Sequence, residues 1–146
     1  MNESTPPFPI NLVQLHFVRS VVIAMPGYVR VEGEQQPAPV NKLNVTKAAV
    51  QSDTYQVEML TVVNPEMDNI APYHIEMSCI ATLVVDQGLQ EEEALRGVTI
   101  TAHSILYGAI RESVSWITGR QPYGPYLLGI SVLTPPQSAP SPEKTN

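Results

Sequence analysis

Three histidines, a single cysteine and one Arg-Glu pair are the residues of this chain whose types could carry chemistry. His16, His74 and His103 would have to gather with carboxylates or a thiol to hold zinc or relay a proton. They fall on two strands and a helix with no recurring ligand spacing, which favours surface or satisfied interior roles. Cys79 stands between Met77 and Ala81 in an apolar row, the setting of a buried, protonated thiol rather than a nucleophile. No G-x-S-x-G, Walker loop or G-x-G-x-x-G occurs, so the chain reads as no enzyme and implies no cofactor. Arg111-Glu112 sits among apolar helix neighbours. It reads either as a solvated helix face or as an intersubunit ion pair that sets helix register, because a lone buried charge is costly.

The aromatic residues say more. Tyr28 follows a Pro-Gly break, Trp116 lies near the end of a helical pattern, and Tyr123, Tyr126, Leu127 and Leu128 stand in the segment after it. Large apolar side chains in a loop either dock on the domain's own core or contact a ligand.

The elements that must position these residues are legible from periodicity. Asn11 to Met25 alternates, with Val13, Leu15, Phe17, Val21, Ile23 and Met25 on one face and Arg19 interrupting it, as a strand requires. Pro26-Gly27 ends that strand, and the Pro- and Gly-containing stretch to Pro39 is too long for a hairpin, so it reads as a crossover loop. A second strand spans about Val40 to Ala49 with Leu43 and Val45 inward, and a third spans Thr54 to Val63 with Tyr55, Val57, Met59, Thr61 and Val63 inward. A fourth sets Tyr73, Ile75, Met77, Cys79, Ala81, Leu83 and Val85 inward. From Gln90 the period becomes helical through Leu95, Val98, Ala102, Ile105 or Leu106, Ala109, Ser113 and Ile117. Glu91, Glu92 and Glu93 suit the positive end of its dipole, Gly119 is expected as a left-handed cap, and Pro122 forbids extension. Gly97 and Gly108 lie in its interior, and Gly108 is the point where it could break. A second stripe of Ile100, Tyr107, Ile110 and Val114 makes the helix apolar on two sides. One sheet covers one side, so the other is expected to meet a second subunit.

The fold class is therefore α+β: a four-stranded antiparallel sheet followed by a long helix packed on one face. With 146 residues the chain fits one domain, expected over 10–133, with disordered ends at 1–9 and in the Pro-rich tail 134–146. Charged residues make up only 15% of the chain, against a usual quarter, so its surface is sparsely charged for a monomer. A net charge of -6 argues against a phosphate-backbone partner, so no nucleic acid is expected. The N-terminus has neither a basic nor an apolar leader region, and no 18 apolar residues run together, so a cytoplasmic protein without membrane insertion is expected.

The stretch from Ile105 to Leu133, ILYGAIRESVSWITGRQPYGPYLLGISVL, resembles the helix and following loop of the SecB family of protein-export chaperones. Ile105-Leu106-Tyr107 and Arg111-Glu112 match the family's apolar-aromatic and Arg-Glu run, Gly119 and Pro122 its stop, and Leu128 to Leu133 its apolar segment. The likeness extends upstream through a first strand ending in Met25-Pro26 and a long crossover, to cover about residues 10–133.

The resemblance implies an ATP-independent holdase that binds unfolded or preprotein clients for export or protection, assembled as a homotetramer, a dimer of dimers with helices between sheets. It implies a peptide groove flanked by the crossover and post-helix loops, where Tyr28, Val29, Val31, Tyr123, Tyr126 and Leu128 occupy the comparable segments. It also implies an oligomer interface at Tyr107, Arg111, Glu112 and Val114. Two departures stand out. The acidic residues that serve docking to the translocation motor are replaced by Ser20 and Ala24, and the family's second helix gives way to the Pro-rich tail. Both suggest specialisation away from general secretion. Two other readings remain open: an oligomeric adaptor for one partner such as an antitoxin, and a hot-dog thioesterase with Glu112 or His103 as base. The hot-dog fold places its long helix early, between strands, whereas here the helix comes last.

Overall fold

A computed structural model describes residues 9–131 and 133, apart from 34, 51 and 87. The termini expected to be disordered lie outside the described residues, except Pro9, whose carbonyl accepts from the Asp86 N–H at 2.7 Å. Strands β1 (Ile10–Ala24), β2 (Val40–Lys47), β3 (Thr54–Val63) and β4 (Tyr73–Val85) precede a single helix, α1 (Glu91–Thr118). The strands form one antiparallel sheet in the order β1-β4-β3-β2. The chain therefore crosses from one edge to the other between β1 and β2, which the long loop after Pro26-Gly27 makes possible. The α+β reading holds, with α1 after all four strands and on one face.

The inward rows of β3 and β4 are those expected: Tyr55, Val57, Met59, Thr61 and Val63, then Tyr73 through Val85 at every second position, are all buried. Both strands are central and regular, so the two-residue period survives intact. In β1 it does not. Register shifts between Leu12 and Gln14 and between Phe17 and Arg19 each insert one residue, and a bulge turns the following side chains to the other face. The core side of β1 thus passes from Ile10 to Leu15 and Phe17, then to Val22 and Ala24. Val13, Val21 and Ile23, expected inward, do not join that core, and Ile23 is exposed. Strand β2 ends at Lys47, two residues before the expected limit, with Leu43 and Val45 packed on the core.

Helix α1 runs unbroken through Gly97 and Gly108, and three glutamates fill its first turn. Its buried row is Ala94, Val98, Ala102, Leu106, Ile110, Val114 and Thr118, which joins Val98, Ala102 and Leu106 of the first expected stripe to Ile110 and Val114 of the second, while Leu95 is exposed and Ala109, Ser113 and Ile117 are half-buried. The difference is geometric. A row stepping by four residues rotates about 40° per step, so it cannot stay on one flat sheet, and its C-terminal members must be enclosed from another side. Gly119 is right-handed (φ -59°), not a left-handed cap. The chain leaves the helix through the turns of Arg120 N–H on the Ile117 carbonyl and Gln121 N–H on the Thr118 carbonyl.

The two helix glycines differ in what surrounds them. A Cβ on Gly97 would stand 2.7 Å from Ile10 Cδ1, whereas one on Gly108 would meet nothing within 4 Å. Gly108→Ala is expected to stabilise the protein by about 1 kcal/mol through helix propensity alone, and Gly97→Ala to gain less or lose stability. Urea unfolding of the two variants against the parent checks both signs.

Candidate functional site

At one end of the sheet four tyrosines from three separate segments meet. Tyr73 opens β4, Tyr28 belongs to the crossover, and Tyr123 and Tyr126 follow α1. Tyr73 packs edge-on against Tyr123 and Tyr126 with ring centroids 5.8 and 6.2 Å away, and Tyr28 packs edge-on against Tyr123 at 5.4 Å. The turn that positions Tyr73 is built by Asn64, left-handed at φ 54°, whose side chain accepts from the Asp68 N–H at 3.1 Å and donates to the Asp68 carbonyl at 2.7 Å. Next to it, the Met25 N–H donates to the Pro72 carbonyl at 2.8 Å, tying the start of the crossover to the start of β4.

Tyr73 is fully buried and its hydroxyl is a hub. It donates to the Gly124 carbonyl at 2.7 Å and accepts from the Tyr123 N–H at 3.1 Å. The Tyr123 hydroxyl in turn donates to the Met25 carbonyl. Gly124 carries φ +78°, a backbone state that a side chain would strain. Around these rings lies a cavity of about 300 Å³ walled by Tyr28, Arg30, Gln36, Pro72, Tyr123 and Tyr126, among others. Burial pushes the Tyr126 hydroxyl up from its ordinary acidity, and Tyr28 and Tyr107 add to the effect. Burial likewise raises Tyr73, partly offset by the Tyr123 N–H. Both phenols are therefore neutral at physiological pH, and that of Tyr73 serves as a hydrogen-bond donor.

Beyond this cluster the segment Tyr126–Ser131 runs back along α1 as an extended strap. The Tyr126 N–H donates to Thr118 Oγ1 at 2.8 Å, Arg111 Nε donates to the Leu128 carbonyl at 3.1 Å, and the Tyr107 hydroxyl donates to the Gly129 carbonyl at 2.5 Å. Ser131 Oγ lies 3.1 Å from His103 Nε2 and accepts from Asn41 Nδ2 at 3.0 Å, while Asn41 Oδ1 accepts from Thr61 Oγ1 at 2.7 Å. The strap is the second enclosure that the rotating helix row demands. It also joins α1 to β2, the strand that α1, packed mainly over β4, β3 and β1, leaves least covered.

Of the residues expected to touch peptide, Tyr28, Tyr123 and Tyr126 come together around the cavity. Val29 and Val31 are exposed nearby on the crossover, outside its lining, and Leu128 is only 1% exposed, docked on the protein's own core. Of the expected interface set, Val114 is fully buried within the protomer, Tyr107 is nearly so, and Arg111 is half-buried and spent on the strap. Glu112 is exposed. Sequence reading missed Tyr73, Thr118, Asn41 and Ser131 as anchors. Each reads as an ordinary strand, helix or loop residue, and nothing in its local spacing marks its partner. His74 donates from Nδ1 to the Asn64 carbonyl at 2.8 Å, and Cys79 is fully buried, which pushes its thiol up to about 11 and leaves it protonated and unreactive at neutral pH.

No protein-family model and no curated protein matches the sequence. Among solved structures, the fold is similar to the Mycobacterium tuberculosis Rv1957 SecB-like chaperone, in complex with a ChAD peptide from the Rv1956 HigA1 antitoxin. The TM-score is 0.56 at 17% identity, over 84% of this chain and 91% of that one. The chain thus has a SecB-like fold. Among the described residues no helix is long and apolar enough to cross a membrane.

If Tyr73 is the hub of this end of the molecule, Tyr73→Phe should keep the ring packing and lose the hydroxyl's bonds. The expected cost is about 1–3 kcal/mol, read in urea unfolding, with faster proteolytic cutting at residues 122–126 than in the parent.

Proposed function

We propose that this protein is a SecB-like, ATP-independent holdase that keeps client polypeptides extended and apart from one another. The observation that carries the reading is the convergence of the crossover and post-helix loops on a tyrosine-lined cavity in a chain with this fold. Tyrosine suits such a surface because it offers a large apolar face with a polar tip and little entropy to lose. Apolar contact of this breadth needs no sequence readout. Val29 at 74% exposed and Val31 extend the apolar surface beyond the cavity along the crossover loop, and the exposed Leu127 lines its rim on the post-helix loop.

Self-association belongs to the same proposal. The strap covers part of the second side of α1, yet Leu95, Ile100 and Trp116 remain exposed on it. Arg111, Glu112 and Trp116 wall an open groove with Gly108 and Leu127. A second copy laid along this side, in a tetramer of paired dimers, would bury these side chains, with Glu112 available to a basic partner. The protein would work in the cytoplasm, on unfolded or preprotein clients. Ser20 and Ala24 offer no charge for docking to a translocation motor.

The antitoxin peptide held by the structurally similar mycobacterial chaperone favours a second reading, in which this chain serves one dedicated partner as an adaptor. Crosslinking in cell extract separates the two: a spread of nascent chains supports the holdase, one sharp partner the adaptor.

Refolding several aggregation-prone proteins with stoichiometric chain should suppress their light scattering, and sedimentation of the same sample should show an assembly larger than one protomer. Unchanged scattering across all clients removes the holdase. A single protomer at every concentration removes the assembly.

A further inference from the structure

The strap is held in an unusual way for a piece of a folded core. It makes no ladder with any strand. Its grip comes from side chains of the body, Arg111, Tyr107 and Thr118, bonded to strap backbone atoms, with Ser131 clasped to His103 and Asn41. Only one of its side chains, Leu128, is fully buried, while Leu127 and Ile130 are 73% and 87% exposed. Open hollows lie along its outer side, one of about 200 Å³ between Ile130, Ser131 and the helix residues His103 to Arg111.

Donors that hold backbone carbonyls do not read side chains. A channel that binds an extended segment by its carbonyls and one aliphatic socket is therefore indifferent to which extended segment fills it. A segment with one buried side chain and no strand pairing also opens at a smaller free-energy cost than the domain as a whole.

We infer that the strap Tyr126–Ser131 is an internal pseudo-client: it occupies a channel between α1 and β2 that takes an extended polypeptide carrying a bulky aliphatic residue at the register of Leu128. A client enters when the strap leaves, and then receives the Tyr107 and Arg111 donors and the Leu128 socket. This rests on the holdase reading and adds to it a second binding site, closed at rest. The apparent client affinity is reduced by the fraction of molecules whose strap is in place. Leu128 is on this account a competitor of the client rather than a contact to it.

Two variants move the strap in opposite directions without altering Tyr107 or Arg111. Asn41→Cys with Ser131→Cys, bridged by a short reversible thiol crosslinker, fastens the strap across the 3.0 Å contact of the native pair. Leu128→Ala removes its buried anchor. Binding is read with a fluorescein-labelled synthetic peptide of residues 122–131 and with a reduced, carboxymethylated protein as an unfolded client. Thermal melts confirm that each variant is folded at the assay temperature.

Expected are loss of peptide binding in the fastened protein, its return on cleaving the crosslink, and roughly tenfold or tighter binding by Leu128→Ala. Equal binding by fastened and released protein, or weaker binding by a folded Leu128→Ala, overturns the inference. Should Leu128→Ala fail to fold, the crosslink comparison alone decides. Absence of carboxymethylated-protein binding by the released form counts against the holdase reading instead, and the peptide result still decides the strap.

Discussion

One helix must cover a sheet too wide for it, and most of the molecule follows from that mismatch. Helix α1 packs over β4, β3 and β1, leaving the inner side of β2 with Leu43 and Val45 only partly buried. Its own apolar row winds around the axis, so that Val114 and Thr118 need a cover that the sheet does not supply. The chain solves both problems with the segment that emerges from the helix. That segment turns back, seats Leu128, and fastens α1 to β2 through Ser131 and Asn41.

The polar chemistry of the site is subordinate to this closure. A returning segment without strand pairing leaves carbonyls to satisfy, and an unsatisfied buried carbonyl is costly. Tyr73, Tyr107 and Arg111 supply the donors. Two of these are phenols kept neutral by burial, so the arrangement does not change charge over the physiological range. Tyr73 and Tyr123, which donate to the chain's own carbonyls, also line the aromatic cavity. Holding the chain's own backbone and presenting a surface to another chain are, at this end of the sheet, tasks of one set of side chains.

Parts of this were readable from residue order. Strands β3 and β4 alternate without interruption because both edges of a central strand are hydrogen-bonded to neighbours, and their inward rows are as the pattern requires. In β1, an edge strand, two inserted residues flip the face twice, and no local feature of Val13 or Val18 announces a bulge. The two apolar stripes of the helix are legible, but not that burial passes from the first to the second after Leu106, because that depends on where the strap lies. Pro-Gly and Gln-Pro breaks located the two loops. That Tyr28, Tyr123 and Tyr126 would meet, and Leu128 would not join them, depended on where those loops landed.

The sequence alone determined what short-range chemistry can express: four strands from alternation, one helix from its period, punctuation by proline and glycine, and excess apolar residues after the helix that needed a destination. Tertiary structure decided the destination. Whether an apolar side chain in a loop faces solvent, a neighbouring loop or its own core is settled by contacts between residues far apart in the chain, such as Asn41 with Ser131 or Tyr73 with Gly124. Local propensity carries no record of such pairs, because their energy appears only when the two segments are already brought together.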